Sequence, residues 1–278
     1  MARCVTAGAY LAAMTTLTPS LDGPILKLKR SVHHLRSLDG EIVAYIKSDP
    51  AKTFSEYDDK AGEYIGRVKV IREPPHHWGV LVAEYGYQLR SALDLLVYQL
   101  ALLSLDGPGS RTAFPIFNSA TDYARDRNKY LSGVAEEHRA IIDSLQPYHR
   151  GDDADNDPLA RLQWLTNEDK HRLIVPALLK RGETGIDAYP VATEQLPPDG
   201  TKHLIFAGRS ITTTTSAPER LYDSAEIGRV EAPKDKVNVS FDLTYEIAFG
   251  ERPVTWPQFS EVGEHVGGIV RSFIPAFG

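Results

Sequence analysis

The chain has 278 residues and a formal net charge of −6, with 42% hydrophobic and 24% charged residues. These values exclude a wholly disordered, collagenous or membrane-embedded chain, and the length suffices to bury roughly 75% of the unfolded surface in one large domain or two small ones. The acidic balance argues against a coat of phosphate-neutralising lysines and arginines, and Cys4, the single cysteine, excludes an intrachain disulfide and a cysteine-based zinc site.

VTAGAYLAAMTTL near the start is short and weakly apolar, a poor secretory h-region. Residues 1–23 are expected to be a poorly ordered segment. No run reaches the ~18 to 20 consecutive apolar residues of a membrane span, so the chain reads as a soluble, cytoplasmic protein without a membrane partner. From Pro24 to about Lys47, apolar residues from Ile25 and Leu28 to Ile42 and Ile46 recur every three to four positions, which predicts an amphipathic helix. Its Lys27, Lys29, Arg30, His33, His34 and Arg36 form either a small basic patch or a solvated helix face.

Between Thr53 and Glu73, aromatic and β-branched residues flank KAGE before Pro74 and Pro75, the pattern of a β-hairpin whose further partners lie elsewhere. Trp78 to Ser104 carries the longest helical stripe, through Val82, Tyr85, Leu89, Leu93, Leu96, Leu100 and Leu103. Because LDLLVYQLALL is apolar nearly all round, this helix belongs at the centre of the fold. TAFPIF then reads as a short extended piece, and SATDYARDRNKYL and AEEHRAIIDSLQPY as two shorter helices. The acidic GDDADND reads as a loop, and Asp157 with Pro158 as the N-cap and first turn of a helix, PLARLQWLTNEDKHRLIV.

After Lys180 the texture changes to short β-rich runs between the turn signals RGETG, LPPDG, SAPE and APKD; the four threonines 212–215 fall in this region. KVNVSFDLTYEIAFG alternates strictly, which predicts one strand with a buried and a wet face. SEVGEHVGGIVRSFI reads as a closing helix capped by Ser260 and weakened by Gly263, Gly267 and Gly268. The expected fold is therefore α+β. A mainly helical core spans 24–180, with the hairpin near 53–73, and an antiparallel β-rich part with a C-terminal helix spans 181–278, packed on the core as one unit.

Charges on the central helices carry the functional reading. Arg90 and Asp94 lie four apart beside Val97 and Ala101, so both point toward a dry region, where a charge costs several kcal/mol unless it is paired and hydrogen-bonded. Asp169 shares a stripe with Leu162, Leu165 and Leu173, Lys170 borders it, and His171 projects to the other side with Asn167 and Trp164. In one reading Arg90, Asp94, Asn167, Asp169, Lys170 and His171 converge on a cleft where a histidine exchanges protons and an arginine stabilises a developing anion. In the other, the same charges form a buried network that fixes helix register.

LRSALDLLVYQLA, TAFPIF, LQPY and PLARLQWLTNEDKHRL together resemble an uncharacterised bacterial family whose central helix is similar to HNLRSALDHLA. The resemblance covers roughly residues 60–175 and brings no established activity. Its arginine, and the histidine five positions later, resemble the active-site spacing of the HEPN (higher eukaryote and prokaryote nucleotide-binding) superfamily, helical bundles that include metal-independent ribonucleases. This implies a HEPN-like bundle, RNA or nucleotide as partner in defence or stress, a homodimer, and catalysis by Arg90, Asp94, Asn167 and His171. Tyr87 and Leu95 stand where the pattern has histidines, which leaves the proton-transfer role to His171.

Other constellations are weaker. His33–His34 and His76–His77 are adjacent pairs without the i, i+4 spacing of a helical zinc site. No phosphate-binding loop, EF-hand loop or GxSxG elbow is present, so no cofactor or metal is expected. Tyr85, Tyr87, Trp164 and Trp256 could stack on bases but are also of the type found in cores. The residues thus leave open whether the chain is an enzyme. They favour a non-catalytic interaction or binding module, with Asp169, Lys170, Tyr87 and Trp164 as binding candidates and the C-terminal sheet as a contact surface, and they carry the HEPN-like nuclease as the alternative.

Overall fold

A computed structural model of the protein describes residues 18–182, 184–190, 220–234 and 237–278, and the fold is α+β. LPPDG, SAPE, the four threonines and VTAGAYLAAMTTL lie outside the described residues. The chain forms two compact units. The first comprises the described residues up to Arg36, Val80–Ile174 and Pro257–Gly278; the second comprises Ser37–Gly79 and the described part of Val175–Trp256. Each unit is assembled from segments distant in sequence, so neither coincides with a 24–180 or a 181–278 span.

The first unit is helical. Helix α1 (Asp22–Ile46) contributes its first half, and starts two residues before Pro24. Residues 18–23, expected to be poorly ordered, are tied down, since the Ser20 amide donates to Gln99 Oε1 at 2.9 Å. Helix α2 (His77–Leu102) follows, with α3 (Ala120–Tyr130), α4 (Glu136–Ser144), a 3-10 stretch (Pro147–Asn156), α5 (Pro158–Asp169) and α6 (Trp256–Ser272). The stripe on α2 is buried as its spacing demands: Val82, Tyr85, Leu89, Leu93, Leu96 and Leu100 are all inaccessible, each contributing about 1.5–3 kcal/mol. Leu103, the next position of the stripe, lies beyond the helix end and is exposed.

Caps are placed where side-chain chemistry puts them. Asp157 Oδ1 accepts from the Leu159 amide at 2.8 Å, and Ser119 caps α3 by accepting from the Asp122 amide. GDDADND belongs to the 3-10 stretch rather than to an open loop. Helix α6 begins at Trp256 instead of Ser260, with Pro257 in its first turn, where a missing N–H costs nothing.

Helix α5 stops at Asp169, six residues short of the expected end. Glu168 and Asp169 in the last turn oppose the negative end of the helix dipole, and Pro176 disfavours helical geometry at the residue before it. Leu162 and Leu165 are buried as expected, whereas Leu173, past the helix end, is exposed.

The second unit holds the strands, all paired antiparallel. Where one sheet is expected from the C-terminal part and the hairpin, the strands among the described residues form three small ones. Hairpin β1 (Ala51–Asp58) and β2 (Glu63–Val70) is joined by β5 (Glu226–Glu231); β3 (Pro176–Lys180) pairs with β7 (Tyr245–Phe249) and β8 (Val254–Thr255); β4 (Gly185–Pro190) pairs with β6 (Val237–Asp242). The alternating run expected to be one strand is thus two, β6 and β7, broken at residues 243–244 and assigned to different sheets.

Gly66 on β2 faces the buried ring of Phe241 on β6 so closely that any Cβ would fall inside the ring's van der Waals surface. This is the close approach for which a strand uses glycine. The unit also contains the second half of α1, where Leu38, Ile42 and Tyr45 are buried and the Tyr45 hydroxyl donates to Arg72 O at 2.6 Å. Glu41 accepts from Trp78 Nε1 at 2.8 Å and contacts His77 Nε2 at 2.7 Å. The Trp78 hydrogen bond holds its carboxyl below the usual range, with burial acting in the opposite direction.

In the first unit, the buried His34 contacts Glu84 on α2 at 3.2 Å. Burial and then the nearby Arg30 charge lower its pKa, while Glu84 pulls the other way. Between the folded pKa and the ordinary value of 6.5, the unfolded chain therefore binds a proton that the folded protein refuses. Stability is full above that ordinary value and falls as pH drops from it toward the folded pKa. Replacing His34→Gln is expected to flatten this part of the stability–pH curve, which urea titrations at several pH values measure.

Candidate functional site

The strongest polar constellation lies within the helical unit, where α2 meets the extended TAFPIF segment. Arg90 and Asp94 share one face of α2 because they are four residues apart. Their ion pair is two-pronged, with Arg90 Nη2 2.9 Å from Asp94 Oδ1 and Arg90 Nε 3.2 Å from Oδ2.

Both side chains then turn to one residue. Arg90 Nη2 donates to Phe114 O at 2.6 Å, and the Phe114 amide donates to Asp94 Oδ1 at 2.9 Å. The third arm of the guanidinium, Nη1, donates to Gln163 Oε1 on α5 at 3.2 Å. Phe114 is 0% exposed, so its main-chain groups have no access to water. An extended segment laid on a helix has no ladder of its own to satisfy them, and an unmatched buried amide or carbonyl costs about 1–3 kcal/mol.

A second clamp holds the other end of the segment. Gln146 is buried, and its Nε2 donates to Pro115 O at 2.9 Å and to Ile142 O at 3.0 Å. Its Oε1 accepts from the Phe117 amide at 3.1 Å. Residues 114–117 therefore form a strap whose backbone is fastened by Arg90, Asp94 and Gln146, while Phe114 and Ile116 fill the core beneath. LRSALD, TAFPIF, LQPY and PLARLQW each supply one part of this fastening.

The remaining site candidates are placed elsewhere. Asn167 lies one turn beyond Gln163 but is exposed, and accepts from Lys170 Nζ at 3.3 Å. Lys170 and His171 are exposed past the end of α5, where the His171 amide donates to Glu168 O. Asp169, expected on an apolar face at a dry seam, is exposed without an ion-pair partner among the described residues, because α5 ends there. No hydrogen bond or ion pair among the described residues joins Asn167, Asp169, Lys170 or His171 to Arg90 or Asp94. The six residues expected to converge thus divide into a strap clamp and a solvated helix end.

Of the four aromatics that could stack on bases, Tyr85 is buried with its hydroxyl donating to Phe259 O at 2.6 Å, and burial raises its pKa. Trp164 is half-buried, and Trp256 Nε1 donates to Asp39 at 3.1 Å. Tyr87 alone of the four is open, 61% exposed on α2 with Lys27 Nζ 5.5 Å from its ring centroid. Leu95, at the other position where the HEPN-like pattern has a histidine, sits within reach of Gly23 on α1.

Sequence pattern does not distinguish Gln146, an extended residue between α4 and the 3-10 stretch, or Gln163 on α5, since an uncharged amide looks like any surface position. Among the described residues no group of three His, Cys, Asp or Glu side chains is placed to hold a metal ion, and no helix is long and apolar enough to cross a membrane. Fold and site together define an α+β protein with a backbone strap fastened by Arg90, Asp94 and Gln146. No family model matches the chain, and no curated protein or solved structure matches it significantly.

Proposed function

We propose that the protein is a non-catalytic binding module in which Arg90 and Asp94 serve the fold. The observation that carries this reading is the pair's commitment to both main-chain groups of Phe114. A guanidinium already bonded to a carboxylate, a carbonyl and an amide oxygen has no free donor fork to stabilise a developing anion. Among the described residues no hydrogen bond or ion pair joins His171, the residue left to transfer protons, to either of them, which weighs against the HEPN-like ribonuclease.

A second reading draws on a separate observation, the exposed Tyr87 beside Lys27. With the exposed Lys29, Arg30, His33 and Arg36 of α1, it supports binding of RNA or a nucleotide without cleavage, by stacking and phosphate attraction.

One experiment separates the readings: wild type, Arg90→Ala and Tyr87→Ala/Lys27→Ala are incubated with a labelled single-stranded RNA, and cleavage and retention are scored together. The expected result is no cleavage by any form. RNA retention by wild type, lost in the Tyr87→Ala/Lys27→Ala variant, would select the second reading. Cleavage by wild type that vanishes in a folded Arg90→Ala protein would overturn the non-catalytic one.

A further inference from the structure

The first half of α1 and helix α6, both in the helical unit, enclose a cavity of about 340 Å³. Its wall is largely apolar, made by Leu28, Val32 and Leu35 of α1, Tyr85 of α2, and Gly263 and Gly267 of α6. The glycines make the room. A Cβ at Gly263 would overlap the Tyr85 hydroxyl, and one at Gly267 would stand 3.3 Å from Arg271 Nη1. The two buried hydroxyls of the wall are already engaged: Tyr85 donates to Phe259 O at 2.6 Å, and Ser31 donates to Leu28 O at 2.8 Å. The interior therefore offers an occupant hydrocarbon contact and no free buried donor, with the 43% exposed Val32 at its lip.

The rim carries the charge. Glu264 and Arg271 both border the cavity, both are exposed, and neither has a hydrogen-bond or ion-pair partner among the described residues. Glu261, one turn earlier on α6, is by contrast held by Arg161 at 3.1 Å. Arg271 folds back along α6 so that its guanidinium lies over Gly267 and Gly268, about 5 Å along the axis from Glu264. An anion and a cation thus stand near each other at one opening without pairing. A simple carboxylate entering there would meet Glu264 as well as Arg271, and a simple amine would meet the reverse. A molecule with ammonium and carboxylate on one carbon satisfies both, its carboxylate matching the planar fork of Arg271. Its side chain then enters the cavity, whose size lies at the small end of ligand pockets.

We infer that this cavity binds a free α-amino acid with an apolar side chain of leucine or phenylalanine size, its ammonium on Glu264 and its carboxylate on Arg271. This rests on the reading of the chain as a binding module and names the class of its ligand. Both charged contacts lie at an exposed rim where water competes, so the affinity is modest, with Kd of about 10 to 500 μM.

The test is isothermal titration calorimetry of the full chain with L-leucine and L-phenylalanine. Glycine, isocaproate and isoamylamine lack in turn the side chain, the ammonium and the carboxylate of leucine, and each is expected to bind at least about tenfold more weakly. Arg271→Ala and Glu264→Gln change exposed side chains; with thermal midpoints near that of wild type, each is expected to weaken leucine binding by about tenfold. Glu261→Gln, at the paired acid outside the cavity, is expected to leave it within about twofold. Val32→Trp fills the lip and is expected to abolish binding. Wild type that binds neither amino acid at about 5 mM overturns the inference. So does isocaproate binding as tightly as leucine, or an unchanged affinity in Arg271→Ala. Any of these failures would leave the binding-module reading with a different ligand. RNA cleavage that depends on Arg90 would sink that reading while leaving the titrations unchanged.

Discussion

Arg90→Ala is expected to lower the thermal midpoint by roughly 5–10 °C, corresponding to about 3 kcal/mol lost. The loss is not chiefly that of the ion pair. Asp94 is 37% exposed in its side chain, and water screens a pair so placed to about 1 kcal/mol or less. Most of it comes from Phe114 O and Gln163 Oε1, which lose a charged donor at 2.6 and 3.2 Å, the carbonyl in a residue with no solvent access. Arg90→Lys is expected to recover less than half, since one ammonium cannot reach a carboxylate, a carbonyl and an amide lying in three directions. Thermal melts followed by circular dichroism, with activity-independent hydrogen exchange at the Phe114 amide, measure both effects. An unchanged midpoint for Arg90→Ala would mean that the strap is held by its apolar side chains alone.

The period of the apolar residues made α2 legible, because a stripe seven positions long admits one period and one buried face. Asp157 followed by Pro158 placed the start of α5 correctly for the same kind of reason: cap and first turn are chemistry local to two residues. The end of α5 was not legible from periodicity. Leu173 continues the stripe in sequence, yet the chain leaves the helix at Asp169 to reach β3, and the dipole and Pro176 decide the matter against the pattern. The run from Val237 to Phe249 failed differently. Alternation reports that residues face opposite sides of a sheet, but not which sheet, and a break at residues 243–244 hands the second half to other partners.

The site was half legible. A charge pair at i, i+4 beside apolar residues announces that a partner exists, and Arg90 and Asp94 do have one. That the partner is the backbone of Phe114 is invisible in a sequence, since main-chain groups are the same at every position. The convergence of Asp169, Lys170 and His171 on that pair depended wholly on α5 continuing, and the helix end removes it.

Gln146→Leu is expected to cost about 3–5 kcal/mol, the larger of the two strap effects. Leucine nearly matches the volume, so no cavity accompanies the change and the loss is polar. Two carbonyls, of Pro115 and Ile142, and one amide, of Phe117, lose their bonds to a side chain that is 2% exposed, where water cannot replace it. Arg90 and Gln146 hold residues only one apart, Phe114 and Pro115, so a slack strap at one clamp should already weaken the other. The double variant Arg90→Ala/Gln146→Leu is therefore expected to lose about 1 kcal/mol less than the sum of the single losses. Urea unfolding of the four proteins gives this coupling. Additivity within about 0.3 kcal/mol would show two independent ties, and the segment from Phe114 to Phe117 would then not act as one strap.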